Sequence, residues 1–212
     1  MATNNKGFTL IEILVTLALT GIVMGAVYGA YQSQQKTYIT QQSVAEMQQN
    51  LRAAMYLMTH EIRMAGYDPR GTADAGFETA DDDEIRFTKD LDGDGTIDSG
   101  NSEDITYSLY TVDGIQKLGR KNPTQNMPVA LNIDALNFVY LDEDDAVTGT
   151  LSDIRSVQIT IVAKTGRIDP GYNNPFVASN MRGDTVFSTA GDGYHRQKLS
   201  TQVKCRNLGL GM

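Results

Sequence analysis

The sequence predicts an α+β protein: one long N-terminal helix, with a protruding apolar half and an amphipathic half packed on an antiparallel β-sheet. Three observations carry this expectation. No proline interrupts the chain before Pro69. Within that stretch apolar residues return at Val44, Met47, Leu51, Ala54, Met58, Ile62 and Ala65, the three-and-four spacing of one helix face. After Pro69 the pattern changes to short runs in which apolar and polar residues alternate, broken by turn formers, as half-buried strands require.

Taken in order, residues 1–7 are a short polar leader with one cation, Lys6, ending at Gly7. Over 8–31 every residue is apolar, small or hydroxylated except Glu12. In helical form these positions reach roughly 36 Å, enough to cross a hydrocarbon core of about 30 Å. Residues 32–66 turn polar with a run of glutamines and then carry the apolar stripe. The helix is expected over 9–64, closed by Gly66 and the Asp68-Pro69 turn. Residues 67–212 form the β-rich globular part, with strands expected at 84–88, 105–112, 115–119, 135–141, 154–164 and 198–206. Residues 165–195, rich in Gly, Asn, Asp and Pro, read as a long loop.

Glu12 decides between readings of the N-terminus. A cleaved secretory signal has a shorter apolar region, with the cleavage site after it. A plain transmembrane anchor accounts for the length and for Lys6 on the cytoplasmic side, but not for a carboxylate costing on the order of 2.5–3.5 kcal/mol inside a membrane. A side chain snorkelling from a helix end is the bland account of Glu12. The run Gly7-Phe8-Thr9-Leu10-Ile11-Glu12, followed by Ile13-Leu14-Val15, resembles the cleavage and methylation signal of type IV prepilins and type II secretion pseudopilins. The resemblance implies a pilin-like α/β roll. It also implies cleavage by a prepilin peptidase between Gly7 and Phe8, methylation of the new Phe8 amine, and entry into a filament with other major and minor pilins through the helix. Glu12 then acts as a register device: a carboxylate in an apolar bundle is tolerable once the ammonium of a neighbouring subunit pairs with it.

Patches further along resemble PilW-type minor pilins, with GspJ-type pseudopilins as near relatives. They are the Asp-Gly stretch running into Glu103-Asp104-Ile105-Thr106-Tyr107 and the ending Arg206-Asn207-Leu208. The implied role is a subunit that helps start a pilus. It is held in the inner membrane with its globular part in the periplasm, working with the inner-membrane assembly platform. The alternatives are a type II secretion pseudopilin and a tip adhesin using the loop 165–195 or a calcium site.

The 212-residue chain carries a net charge of −8. Twelve acidic residues against Arg86 and Lys89 give −10 over 74–104 alone. Clustered carboxylates argue against nucleic acid as partner. They point to a solvated loop or to a bound cation. Asp90, Asp92, Asp94 and Asp98, with Gly95 between them, have the alternation of a calcium loop. Thr96 would lend its carbonyl, Asn101 stands where a bidentate Glu is usual, and Glu103 or Asp104 could substitute for it. The expected cofactor is a structural Ca²⁺. The metal-free alternative is an Asp/Gly-rich hairpin loop. The run Asp142-Glu143-Asp144-Asp145 lacks the alternation and reads as a solvated turn.

Cys205 is the single cysteine and forbids an internal disulfide. His60 and His195 belong to no metal or nucleophile set, and no phosphate loop or nucleophile elbow occurs. An enzyme is not expected.

Overall fold

The computed structural model describes residues 7–98, 100 and 102–209. Its elements are α1 (Leu10–Ile62), β1 (Phe77–Ala80), β2 (Ile85–Thr88), β3 (Asp104–Val112), β4 (Ile115–Lys121), β5 (Asn126–Leu131), β6 (Ile133–Leu141), β7 (Ser156–Lys164), β8 (Phe176–Ser179), β9 (Thr185–Thr189) and β10 (Arg196–Lys204). A 3₁₀ turn, Leu151–Asp153, precedes β7. Compactness divides the chain at Gln42 and Ser43 into two units, with α1 running through the division.

From Leu10 onward the first unit is helix. Its large apolar side chains, including Leu10, Ile11, Leu17, Ile22, Met24 and Tyr31, are exposed. α1 is long and apolar enough to cross a membrane.

The second unit has the layered arrangement the stripe demands. Met47, Leu51, Ala54, Met55, Met58 and Ile62 are buried with Ile85, Phe87, Ile105, Tyr107, Phe138, Val157, Ile159 and Ile161 in one core. Every residue of the sequence stripe reaches that core, Val44 at its margin. All strand pairs are antiparallel. They form a five-stranded sheet ordered β1-β2-β3-β4-β5, a three-stranded sheet ordered β10-β7-β6, and the β8-β9 hairpin. The single sheet expected from sequence is thus three. β6 ends the smaller sheet at the turn before β2, where Phe138 N–H donates to the Asp82 carbonyl at 2.8 Å.

α1 gives way at Gly66, whose positive φ of 74° and N–H bond to the Thr88 carbonyl turn the chain under the sheet. A Cβ here would lie 2.2 Å from Leu208 Cδ2, so the position needs glycine for space as well as for φ. Asp68 then accepts the N–H groups of Gly71 at 2.7 Å and Ala73 at 2.8 Å, forming the turn that Asp68-Pro69 suggests.

Three expectations from sequence need correction. Residues 165–195 are not a plain loop, because they contain β8 and β9. Those strands are four and five residues long, too short for period two to register. The hairpin instead depends on distant contacts. Ala178, Phe176, Val186 and Phe187 pack with Ala135 and Val162 of the three-stranded sheet. Asn180 closes the turn by accepting the N–H groups of Arg182 and Asp184. At the far end Arg196, its side chain 3% exposed, bridges Asp134 at 2.6 Å and Asp192 at 2.5 Å. That pairing lowers the Asp192 pKa to about 2. The second correction is two unexpected strands, β1 and β5, both at edges of the five-stranded sheet; Pro128 hid β5, and a sheet edge is where a strand tolerates proline. The third is the strand expected from Ile154, which starts at Ser156 after the 3₁₀ turn.

One buried charge sits on the helix stripe. The Glu61 carboxylate accepts both Nε and Nη2 of Arg120, the latter at 2.9 Å, and the hydroxyl of Tyr107. Burial, followed by the charge of Glu61, raises the Tyr107 phenol pKa far above its ordinary range. Lys89 is buried near this group, and burial holds its ammonium below the usual lysine range. The cluster joins α1 to β3 and β4. Removing one ion of a buried pair costs about 3–5 kcal/mol, whereas replacing both with apolar groups of similar volume is close to neutral. Arg120→Ala should therefore lower the urea midpoint of the second unit sharply, while Glu61→Leu/Arg120→Met restores most of it. An Arg120→Ala midpoint equal to wild type would remove the cluster's role.

Candidate processing and assembly site

Gly7 and Phe8 precede the helix in irregular backbone, and Phe8 is 88% exposed. The peptide bond between them is therefore open to a second protein. A Cβ added at Gly7 would meet nothing within 4 Å, and φ there is not positive. The fold places no demand for glycine at this position. Any such demand must come from whatever recognises the bond.

Thr9 and Glu12 form a reciprocal cap. Glu12 Oε2 accepts the Thr9 N–H at 2.8 Å and the Thr9 hydroxyl at 2.7 Å, while Glu12 N–H donates to Thr9 Oγ1 at 3.3 Å. This is the capping box S/T-x-x-E, which satisfies helix-start donors that would otherwise lack partners. Thr16 follows one turn later, its hydroxyl donating to the carbonyls of Glu12 and Ile13 at 2.9 Å. The sequence carries the signal, since Thr9 stands three residues before Glu12. The local consequence is that Glu12 is not a bare charge: its own helix start supplies two donors.

The acidic loop is the second candidate. Asp90 is fully buried, with Oδ1 accepting Gly93 N–H at 2.7 Å and Oδ2 accepting Gly95 N–H at 2.9 Å. Asp92 accepts Asp94 N–H at 3.1 Å. Asp94 accepts both the N–H and the hydroxyl of Thr96 at 2.8 Å, and those bonds hold its pKa below the ordinary value. One oxygen from each of Asp90, Asp92 and Asp94 lies within 4.8 Å of the others. Those three are the predicted ligands that the structure brings together. Glu103, 1% exposed, turns its oxygens to the N–H groups of Leu91 at 2.8 Å and Asp98 at 2.7 Å, clamping both arms of the loop. Asp104 pairs instead with Arg86 at 2.8 Å. Asn101 lies outside the described residues. Two residues not foreseen brace the loop, Arg70 donating to the Asp94 carbonyl at 2.7 Å and Thr72 to that of Gly95.

The remaining residues singled out in sequence have structural surroundings. His60 stacks on Tyr56, and His195 stacks on Tyr172 and meets Asp169 at 3.1 Å. Cys205 is buried, which pushes its thiol up to about 12 and keeps it inert. Asp142 accepts the N–H groups of Asp144 and Ala146 in an exposed turn.

Residues 2–28 match the prokaryotic N-terminal methylation motif. Residues 40–175 match the family of prepilin peptidase-dependent protein B. Among solved structures, a type IV-like pilin from Thermus thermophilus is similar at 15% identity, covering 76% of this chain and 96% of that one, with a TM-score of 0.50. At that identity the likeness shows the fold. No curated protein matches.

The loop's backbone makes a sharp prediction. Gly95 has φ of 90°, and a Cβ there would sit 2.4 Å from Thr72 Oγ1, whereas Gly100 meets nothing within 4 Å and does not have positive φ. Gly95→Ala should destabilise the second unit by about 1–3 kcal/mol. Gly100→Ala should change the melting temperature little. Equal effects in parallel melts would refute the loop geometry.

Proposed function

We propose, from the premise that the chain belongs to the prepilin peptidase-dependent protein B family, that it is a minor subunit of a type IV pilus, processed at Gly7 and built into the filament through α1. The observation that carries this reading is the junction at the start of α1. There an accessible bond between Gly7 and Phe8, a Thr9–Glu12 cap and an exposed apolar segment meet within a few residues. Hydrolysis of that bond by the peptidase leaves a carboxylate on Gly7 and frees an amine on Phe8, the atom that would then be methylated; the match of residues 2–28 to the N-terminal methylation motif supports this. The absence of any steric demand at Gly7 agrees with glycine being required by the enzyme rather than by the fold.

Before assembly the segment 8–31 is held in the inner membrane, with the globular unit on the periplasmic side. The three hydrogen bonds of the cap converge on Thr9 and on Glu12 Oε2. In this reading Glu12 Oε1 is the oxygen that takes the Phe8 ammonium of a neighbouring subunit. The cap lowers the cost of carrying the carboxylate while the chain waits, and the neighbour's ammonium rewards one register in the bundle. Other pilins and the assembly platform are the partners. A pseudopilin role in type II secretion would use the same chemistry. The fold and the family describe a structural subunit, not an enzyme.

The test is to follow cleavage and incorporation separately. The protein recovered from membranes should begin at Phe8, with the mass of one added methyl group. Glu12→Val should be cleaved and stay in the membrane yet be lost from sheared filaments. Recovery of a chain still carrying residues 1–7 alongside a working peptidase would sink the reading, as would normal incorporation of Glu12→Val.

We also infer a structural role for Ca²⁺ in the acidic loop, favoured by the convergence of Asp90, Asp92 and Asp94 oxygens. Those three would hold the ion, and the Thr96 carbonyl and Asp98 would complete the set. The ion would supply charge neutralisation to a segment of −10 and no chemistry. Saturating Ca²⁺ at about 100 times its dissociation constant should stabilise the unit by about 2.7 kcal/mol. Melting with Ca²⁺ and with chelator checks this, and identical midpoints would exclude it.

A further inference from the structure

The part of α1 in the second unit has a face that the core does not use. Opposite the buried stripe, Gln49, Arg52, Tyr56, His60 and Arg63 follow at three- and four-residue spacing, and all are exposed. Such spacing sets side chains one above another along a single ridge. Tyr56 is 72% exposed and stacks on His60 with ring centroids 6.3 Å apart. Arg206 joins the ridge at its end, where its N–H meets the Arg63 carbonyl at 3.4 Å, and it is exposed too.

Arg206 lines a surface cavity with Asp142, Glu143 and Asp145, but among the described residues no carboxylate lies in ion-pair contact with the ridge. Among the described residues Arg52, Arg63 and Arg206 make no ion pair, whereas Arg86, Arg120 and Arg196 each hold a carboxylate. Glu46 stands six residues before Arg52, outside the three- and four-residue reach of a helix pair. Glu61 is committed to Arg120, and Asp68 to the backbone of its own turn. A large exposed tyrosine among arginines, on a rigid helix, is the composition of an interface centre rather than of ordinary solvated surface. Guanidinium groups favour carboxylates that can accept two bonds at once.

Other anionic partners fit less well. Lipid headgroups are taken by runs of four to eight cations, and phosphate backbones by larger basic surfaces. A chain of net charge −8 repels both at longer range.

We propose that this ridge, centred on Arg52, Tyr56 and Arg63, receives a carboxylate-bearing loop from the globular unit of a neighbouring subunit in the same assembly. The proposal rests on the assembly role given above. It adds a second contact of different chemistry: the apolar segment and Glu12 set the bundle, and the ridge selects which globular surface lies against it. Like charges brought together at such a contact repel, so reversing the ridge rejects the partner rather than merely loosening it.

The test uses the full chain in cells with its processing and assembly proteins. Arg52→Glu/Arg63→Glu should be cleaved and fold normally, since both positions are exposed, yet fall at least about tenfold in sheared filaments, while Arg52→Lys/Arg63→Lys stays within about threefold of wild type. In the otherwise unaltered chain, a photo-crosslinking benzoylphenylalanine at position 56 should map to an Asp- or Glu-bearing loop of another processed subunit. Wild-type incorporation of the Glu/Glu variant overturns the proposal. Crosslinks to lipid, to nucleic acid or to a segment without carboxylates do the same. Loss with Glu12→Val but not with the Glu/Glu pair would sink the ridge alone. A wild-type chain that never enters filaments would remove both readings together.

Discussion

The apolar residues between Leu10 and Ile39 find no cover within the chain, and fully burying a leucine- or isoleucine-sized side chain is worth about 1.5–3 kcal/mol each. A folded protein that leaves such a surface exposed is thermodynamically incomplete. Lipid can complete it, and so can a bundle of like helices, and moving from one to the other changes little in apolar burial. What distinguishes the two states must therefore be polar. Glu12 is the charged residue of the stretch 8–31, and the helix start is where its partners lie.

That constraint makes sense of the division of labour along α1. The first unit contributes surface and almost no internal contacts beyond its own helix, so its sequence is free to be apolar all round. The second unit must stand alone in water, and there the helix becomes one-sided: Met47, Leu51, Met58 and Ile62 face the core, while Arg52, Tyr56 and His60 face outward. Glu61 is the exception on the inward side. Its placement costs desolvation that Arg120 and Tyr107 offset. It fixes the rotation and axial position of the helix against β3 and β4 in a way that interchangeable methyl groups cannot.

The globular unit, which has no disulfide, uses charged side chains to tie its loops: ion pairs in one place and hydrogen bonds to backbone N–H groups in another. Arg196 between Asp134 and Asp192, and Glu103 across the arms of the acidic segment, tie down stretches that composition alone would leave mobile. Both are buried or nearly so, where solvent screens them little. The acidic segment shows the same logic in its backbone. Asp90 and Glu103 spend their oxygens on loop N–H groups, which leaves Asp92 and Asp94 at the surface beside them.

The long helix, its stripe, the alternating strands and the N-terminal motif could be read from sequence alone, because each rests on local spacing: a period of 3.6, a period of two, or a contiguous run. Asp90, Asp92 and Asp94 were legible for the same reason. Tertiary structure decided what depended on residues far apart. Nothing in the local sequence sets Glu61 apart, and its partner Arg120 lies 59 positions away. The hairpin within 165–195 was hidden because its stability comes from Ala135, Val162 and Asp134 rather than from its own short strands. Glu103 stood among the ligand candidates by proximity, yet folding turned it to the backbone of Leu91 and Asp98. Local periodicity is a property of the chain. The partner of a buried charge is a property of the fold, because only packing determines which distant group shares its desolvated space.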